Sequence, residues 1–151
     1  MEEKLNEIGT ELKCPIAIMI RDGKILTGLR NYTKDKWKEI SVWTCPGGRC
    51  DKGETLKETL IRETQEEVGI TEFEILDFIG EVPGAKEGDV VSMFFCKTKQ
   101  DFKLMEPEKF SEWRWVLIDD YITNNEYSGF NNVARKMIVE YLQTNHEKNN
   151  K

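Results

Sequence analysis

The sequence predicts an α/β domain in which a mixed sheet is covered by helices on both faces. Three features point to it. Short apolar runs separated by turn residues recur between residues 16 and 117, one helical repeat interrupts them from Thr55 to Gly69, and a second helical repeat occupies residues 130–143. The chain has 151 residues, 38% hydrophobic and 33% charged, which suits one soluble, globular domain spanning residues 1–151. A domain of that size buries roughly two-thirds of the surface its unfolded chain exposes.

The elements follow in order. Residues 1–13 read as a short helix or a frayed arm, with 1–12 expected to be loose. Ile16 to Ile20, a turn at Asp22-Gly23, and Ile25 to Leu29 form a hairpin. The polar YTKDKWKEI reads as a loop, and SVWTC as a short strand ended by Pro46-Gly47-Gly48. Leu56, Leu60, Ile61, Thr64 and Val68 recur at helical spacing, and Gly69 is a natural stop. Strands are expected over residues 72–80, 90–97 and 111–117, separated by PGAKEGD and KLMEPEKFSE. Val133, Met137, Ile138, Tyr141 and Leu142 mark the last helix, and residues 145–151 should fray.

Composition excludes several classes. A formal charge of −6 argues against gripping a nucleic acid polymer by its phosphates, although a divalent cation would let an acidic protein hold a phosphate chain. No apolar run approaches the roughly 20 residues of a spanning helix. The opening MEEKLNEIGTELK lacks the basic start and apolar centre of a secretory signal, so no targeting segment and a cytoplasmic location are expected. Cys14, Cys45, Cys50 and Cys96 contain no C-x-x-C pair and the lone histidine is His146, so neither a zinc site nor a disulfide framework is expected.

The chemistry concentrates in CPGGRCDKGETLKETLIRETQEEVGI, residues 45–70. On a helix, Glu63, Glu66 and Glu67 fall within an arc of about 100°, beside the apolar arc of Leu60, Ile61, Thr64 and Val68. Such carboxylates repel one another by a few tenths of a kcal/mol per exposed pair, and more when buried. A bound Mg²⁺ or Mn²⁺ relieves that repulsion and keeps waters that a substrate phosphate can replace. The competing account is an ordinary solvated surface shared with Lys57, Glu58 and Arg62. Gly47, Gly48 and Gly53 weigh against it, because their backbone freedom allows a carbonyl to be set against a metal and the chain to turn into the helix.

Gly48, five residues, Glu54, seven residues, then Arg62-Glu63-Thr64-Gln65-Glu66-Glu67-Val68-Gly69-Ile70 resembles the signature of the Nudix (MutT-like) hydrolases, G-x5-E-x7-R-E-U-x-E-E-x-G-U with U apolar. Every fixed position matches, and Thr64 stands where an aliphatic residue is usual. The resemblance implies an α/β/α sandwich that cleaves a nucleoside diphosphate linked to another moiety, by attack of water on phosphorus. It implies that Glu63, Glu66 and Glu67, helped by the Gly47 carbonyl, hold divalent metals. Arg62 would orient Glu63, and Glu54 and Gly48 would shape the loop. The group that takes the proton stays open between Glu63, Glu66 and a residue from another loop. EPEKFSEWRWV offers Glu108 and Glu112 for that loop, and a charged loop whose tryptophans pack on the core fits it equally. Arg30 ends ILTGLR, which resembles the family strand whose terminal Arg contacts phosphate. Trp43 is the first choice for an aromatic base platform, ahead of Trp37, Phe94 and Asn131-Asn132.

The substrate implied first is a canonical, oxidised or non-standard (d)NTP, cleaved to a nucleoside monophosphate and pyrophosphate. ADP-ribose or a nucleotide sugar comes second, on Pro83-Gly84 and Glu87 of VPGAKEG, followed by dinucleoside polyphosphates. A non-catalytic ligand-binding module is the rival class, disfavoured by the intact glutamates. The expected partner is therefore a small nucleoside polyphosphate with Mg²⁺ or Mn²⁺, rather than a nucleic acid polymer or a membrane, with the chain a monomer or a homodimer.

Overall fold

The computed structural model describes residues 1–31, 41–128 and 131–145. In chain order its elements are α1 (Glu2–Leu5), β1 (Lys13–Arg21), β2 (Lys24–Arg30), β3 (Val42–Thr44), α2 (Leu56–Val68), β4 (Glu74–Pro83), β5 (Val90–Lys97), β6 (Phe110–Leu117), α3 (Ile118–Thr123), a 3₁₀ turn at Asn125–Tyr127, and α4 (Asn132–Thr144). β1 runs parallel to β5, and β4 runs antiparallel to β5 at one edge. β6 pairs antiparallel along β2.

The pairing of β1 with β2 is short. They share register at Ile20↔Ile25 and Arg21↔Lys24, beside the turn. Beyond that point β3 and the loop after it take up the space between them. β3 pairs with β2 at Gly28↔Thr44 through Arg30↔Val42. The loop then turns to β1: Ala17 N–H donates to the Pro46 carbonyl at 2.8 Å, Gly48 N–H to Pro15 at 3.2 Å and Cys50 N–H to Lys13 at 2.9 Å. The glycine loop is thereby built into the sheet.

Alternation along β1 divides the core. Ile16, Ile18 and Ile20 face one layer with Ile138 and Leu142 of α4, while Ala17 and Met19 face the other with Leu56, Leu60 and Val68 of α2. Both faces are covered, which is why β1 reads as a continuous apolar run. The mixed six-stranded sheet between helices is the expected α/β/α sandwich.

Local chemistry sets the ends of α2. The Thr55 hydroxyl accepts from Glu58 N–H and the Glu58 carboxylate accepts from Thr55 N–H, a reciprocal capping box, and Gly69 closes the helix at φ 68°. Glu2–Leu5 form the short helix that is one of the two readings of residues 1–13; Leu5 is buried against α2, and the chain after it bonds to the α2 entry, so this arm is docked. α3 escaped the sequence pattern, because six residues are too few to show a helical period. Ile61 and Val133 lie on helix surfaces exposed to solvent rather than in the core. His146 and the rest of the tail lie outside the described residues, and among the described residues no helix is long and apolar enough to cross a membrane.

Thr64 is fully buried, and among the described residues its hydroxyl has no hydrogen-bond partner. An unpaired buried hydroxyl costs about 1–3 kcal/mol. Thr64→Val, which keeps the shape and removes the polar atom, should therefore raise stability by about 1 kcal/mol and Tm by roughly 2–4 °C. Calorimetric melting of the two proteins checks this, and a lower Tm for the variant contradicts it.

Candidate active site

The site is built where the glycine loop meets α2. Gly47 has φ 151°, and a Cβ there would stand 2.4 Å from the Pro15 carbonyl. Only glycine meets both conditions. Its N–H donates to Glu67 Oε1 at 2.8 Å, tying the loop to the last turn of the helix. At Gly48 a Cβ would lie 2.6 Å from the Glu63 carboxyl carbon, so the missing side chain leaves the space that the carboxylate occupies.

Glu67 is 3% exposed, and burial pushes its carboxyl up to about 8. Glu63 and Glu106 push the same way, while the Gly47 N–H and the Arg30 guanidinium oppose them. Burial also raises Glu63, against the pull of Arg62. Each has an oxygen to spare: among the described residues Glu63 Oε2 and Glu67 Oε2 take no hydrogen bond, and the Gly47 carbonyl takes none either.

Arg62 organises the remaining charges. Its Nε and Nη2 donate to the two Glu54 oxygens at 2.8 and 2.9 Å, its Nη1 to Glu63 Oε1 at 2.8 Å and, more weakly, to Glu66 Oε2 at 3.3 Å. Nη2 also reaches the Arg49 carbonyl at 3.2 Å. Glu54 is steadied further by donation from the Asp51 N–H and the Thr59 hydroxyl. A single planar fork thus connects loop and helix.

The other sequence candidates separate into those near this centre and those away from it. Arg30 stacks its guanidinium 5.5 Å from the Phe110 ring centroid, leaves its buried Nε without a partner among the described residues, and acts on Glu67. Glu108 is exposed in a turn, and Glu112 is engaged by Arg114 at 2.9 Å. The acid of this segment that acts on Glu67 is Glu106, which sequence reasoning passed over; it pairs with Lys109 at 3.2 Å, and Lys109 in turn acts on Glu63. The EPEK stretch holds both acids, but residue type alone does not tell that Glu106 is the half-buried one and Glu108 the exposed one.

Trp43 is 5% exposed, covered by the Arg114 guanidinium at 4.2 Å and by Tyr127 edge-on at 5.5 Å, so it does not present an open platform. Phe94 is fully buried, Asn131 caps α4, and Trp37 lies outside the described residues. Glu87 is exposed; the acid of that hairpin with a structural role is Asp89, whose oxygens take two bonds of 2.7 Å from Arg49. A cavity of about 970 Å³ lies at the far end of β1, lined by Arg21, Glu72, Lys97 and Gln100, and contains none of these carboxylates. The clustered carboxylates lie at the loop and α2, away from this cavity.

A model of the NUDIX domain matches residues 14–140. The chain belongs to the NUDIX family. It is 31% identical over 146 residues to an RNA pyrophosphohydrolase of Gluconobacter oxydans strain 621H, covering 84% of this chain and 82% of that protein. A second RNA pyrophosphohydrolase, from the Wolbachia pipientis of Culex pipiens, is 29% identical over 129 residues, covering 72% and 75%. The crystal structure of a MutT protein from Methanosarcina mazei Go1 superposes with a TM-score of 0.69 at 22% identity, over 89% of this chain and 94% of that one, and attests the fold. This Nudix protein is a pyrophosphohydrolase acting on phosphoanhydride bonds.

Nudix hydrolases generally use divalent metals. As the side chains stand, no group of three or more His, Cys, Asp or Glu among the described residues already forms a metal cage. The donors nevertheless fit in kind. Oxygen ligands suit hard cations, and the spare oxygens of Glu63 and Glu67 belong to carboxylates whose ionised form burial disfavours, which a cation would reverse.

Arg62 pulls Glu54 down from its ordinary 4.5 to about 2. A depressed carboxyl stabilises the fold fully above the unfolded value and loses that effect as pH falls toward the folded one. After discounting for its partial exposure, the contribution is roughly 2 kcal/mol. Urea unfolding of the wild type should therefore weaken between pH 5 and pH 2 by about that much more than Glu54→Gln. Parallel curves for the two proteins would assign the acid lability to another group.

Proposed function

We propose that this chain is a divalent-metal-dependent pyrophosphohydrolase that releases pyrophosphate from a nucleoside 5′-triphosphate group, with Mg²⁺ or Mn²⁺ as cofactor. Glu67 carries the reading. It is a nearly inaccessible carboxylate, fixed by the Gly47 N–H, coupled to Glu63, and left with a free oxygen. Burying a glutamate with one oxygen left unpaired costs free energy that packing alone does not repay.

Glu63, Glu66 and Glu67, with the Gly47 carbonyl, would hold the ion. When bound, it neutralises charge on the phosphate oxygens and lowers the pKa of the water that attacks in line. Arg62 fixes the direction of Glu63 and Glu66. Arg30, whose charge acts on Glu67, would bring a guanidinium to the phosphate oxygens. Glu63 or Glu66 takes the proton from water, and Glu106 approaches the same centre from the β6 side.

The carrier of the triphosphate is best read as RNA. Phosphodiesters join an RNA chain, so its phosphoanhydrides lie in a 5′-polyphosphate, and the RNA pyrophosphohydrolases among the relatives favour that end. A free (d)NTP is the second reading, favoured by the charge of −6, since a long polymer gains from a basic track.

The test offers a 5′-triphosphorylated oligoribonucleotide, canonical and oxidised nucleoside triphosphates, ADP-ribose and nucleotide sugars, each with Mg²⁺ or Mn²⁺. The oligonucleotide should release pyrophosphate, and Glu67→Gln should lose at least about 100-fold in turnover, as expected when a metal ligand goes. Faster turnover of a free triphosphate would select the second reading. Cleavage of ADP-ribose alone would overturn both.

A further inference from the structure

The loop that carries Glu54 has two sides. Arg62 holds its carboxylate; the docked N-terminal arm holds its backbone. Gly9 N–H donates to the Glu54 carbonyl at 2.8 Å, Leu56 N–H donates to the Glu7 carbonyl at 3.0 Å, and Ile8 forms an antiparallel bridge with Thr55. Residues 7–9 thus lie like a short strand against the three residues that lead into α2, namely the Arg62 anchor, the helix cap and the first helical residue.

The arm is fastened at independent points. Leu5 is 2% exposed in the cluster of Leu56 and Leu60. Lys4 lies between Glu7 at 2.9 Å and Glu81 of β4 at 3.0 Å, and Glu81 also accepts from the Ser92 hydroxyl at 2.7 Å. Farther along, Arg49 donates to the Glu11 carbonyl at 2.9 Å. Between these points there is little room. A Cβ at Gly9 would stand 2.3 Å from Cys50 Sγ and 2.8 Å from Cys50 Cβ, and Cys50 is itself buried.

We propose that residues Glu7–Gly9 are a positioning element of the metal-binding site, setting Glu54 and, through the Glu54–Arg62–Glu63 connection, the placement of the metal-binding carboxylates. The inference rests on the metal-site reading above and deepens it. The side-chain torsions along this connection are restrained by hydrogen bonds at their ends: besides Arg62, the Glu54 carboxylate accepts from the Asp51 N–H and the Thr59 hydroxyl. Gly9 fixes the Glu54 carbonyl, two hydrogen bonds of 2.8 and 2.9 Å join Glu54 to the rigid guanidinium, and one of 2.8 Å joins that to Glu63. A displacement at Gly9 moves the Glu54 backbone, and the hydrogen-bonded Glu54 carboxylate and Arg62 guanidinium carry it toward Glu63. An arm that only covered the apolar surface of Leu56 and Leu60 would need Leu5, but not a glycine at 9 or bonds to Glu54.

Gly9→Ala, Cys50→Ala and the double variant separate these roles when each is titrated calorimetrically with Mn²⁺, without nucleotide, and melted in parallel. Gly9→Ala should weaken Mn²⁺ binding about tenfold, the low end for loss of an outer-shell support. Cys50→Ala should bind as the wild type does. The double variant, with Sγ gone, should recover about threefold of the loss. Wild-type affinity in a Gly9→Ala protein that melts lower would overturn the proposal and leave the arm a purely covering role. Should Gly9→Ala fail to fold, Leu5→Ala loosens the arm without a clash at the loop; weaker Mn²⁺ binding supports the proposal and unchanged binding overturns it. A wild type that binds no Mn²⁺ would instead overturn the metal-site reading from which this one starts.

Discussion

One guanidinium hydrogen-bonded to three carboxylates is the constraint on which the proposed site depends. Glu54, Glu63 and Glu66 come from a loop and two turns of a helix, and without a common counterion their charges would drive them apart. Arg62 meets two of them with bonds below 3 Å and the third more loosely, and is itself 27% exposed. Its planar fork fixes directions as well as distances, which a lysine ammonium does not. The bond to Glu66 is loose, and Glu63 and Glu67 each keep an oxygen without a hydrogen bond among the described residues.

The sheet explains why that loop lies at the right height. β1 and β2 part just beyond their turn, and the chain after β3 enters between them, so the glycine loop is held by β1 backbone bonds. Gly47 turns its N–H toward Glu67, and the absent side chain of Gly48 makes room for Glu63. Fold and site are therefore the same hydrogen-bond pattern, continued from strand into loop and from loop into helix. The arm adds a further strip to that pattern at the entry to α2.

The main elements were legible because their signals are local. The period of Leu56, Leu60 and Val68 and the stop at Gly69 lie within one segment, and so does the spacing of Glu54, Arg62, Glu63, Glu66 and Glu67. What stayed hidden depends on contacts between distant segments. Nothing in MEEKLNEIGTELK tells that Gly9 bonds Glu54, since the partner is 45 residues away and the bond is backbone to backbone. Trp43 has the composition of a platform, but a strand residue's face is set by sheet register, and that register puts Arg114 over it. Glu106 was passed over in favour of Glu108 and Glu112 because loop path, rather than residue type, decides which acid turns inward.

Mn²⁺ affinity of Arg62→Lys, measured by calorimetry on protein confirmed as folded, tests the central claim most directly. Lysine keeps the charge but lacks the fork that spans Glu54 and Glu63 together, so the variant should bind Mn²⁺ at least about tenfold more weakly than the wild type. Equal affinity in the two proteins would mean that charge alone organises the carboxylates, and that the fork of Arg62 does not set the site.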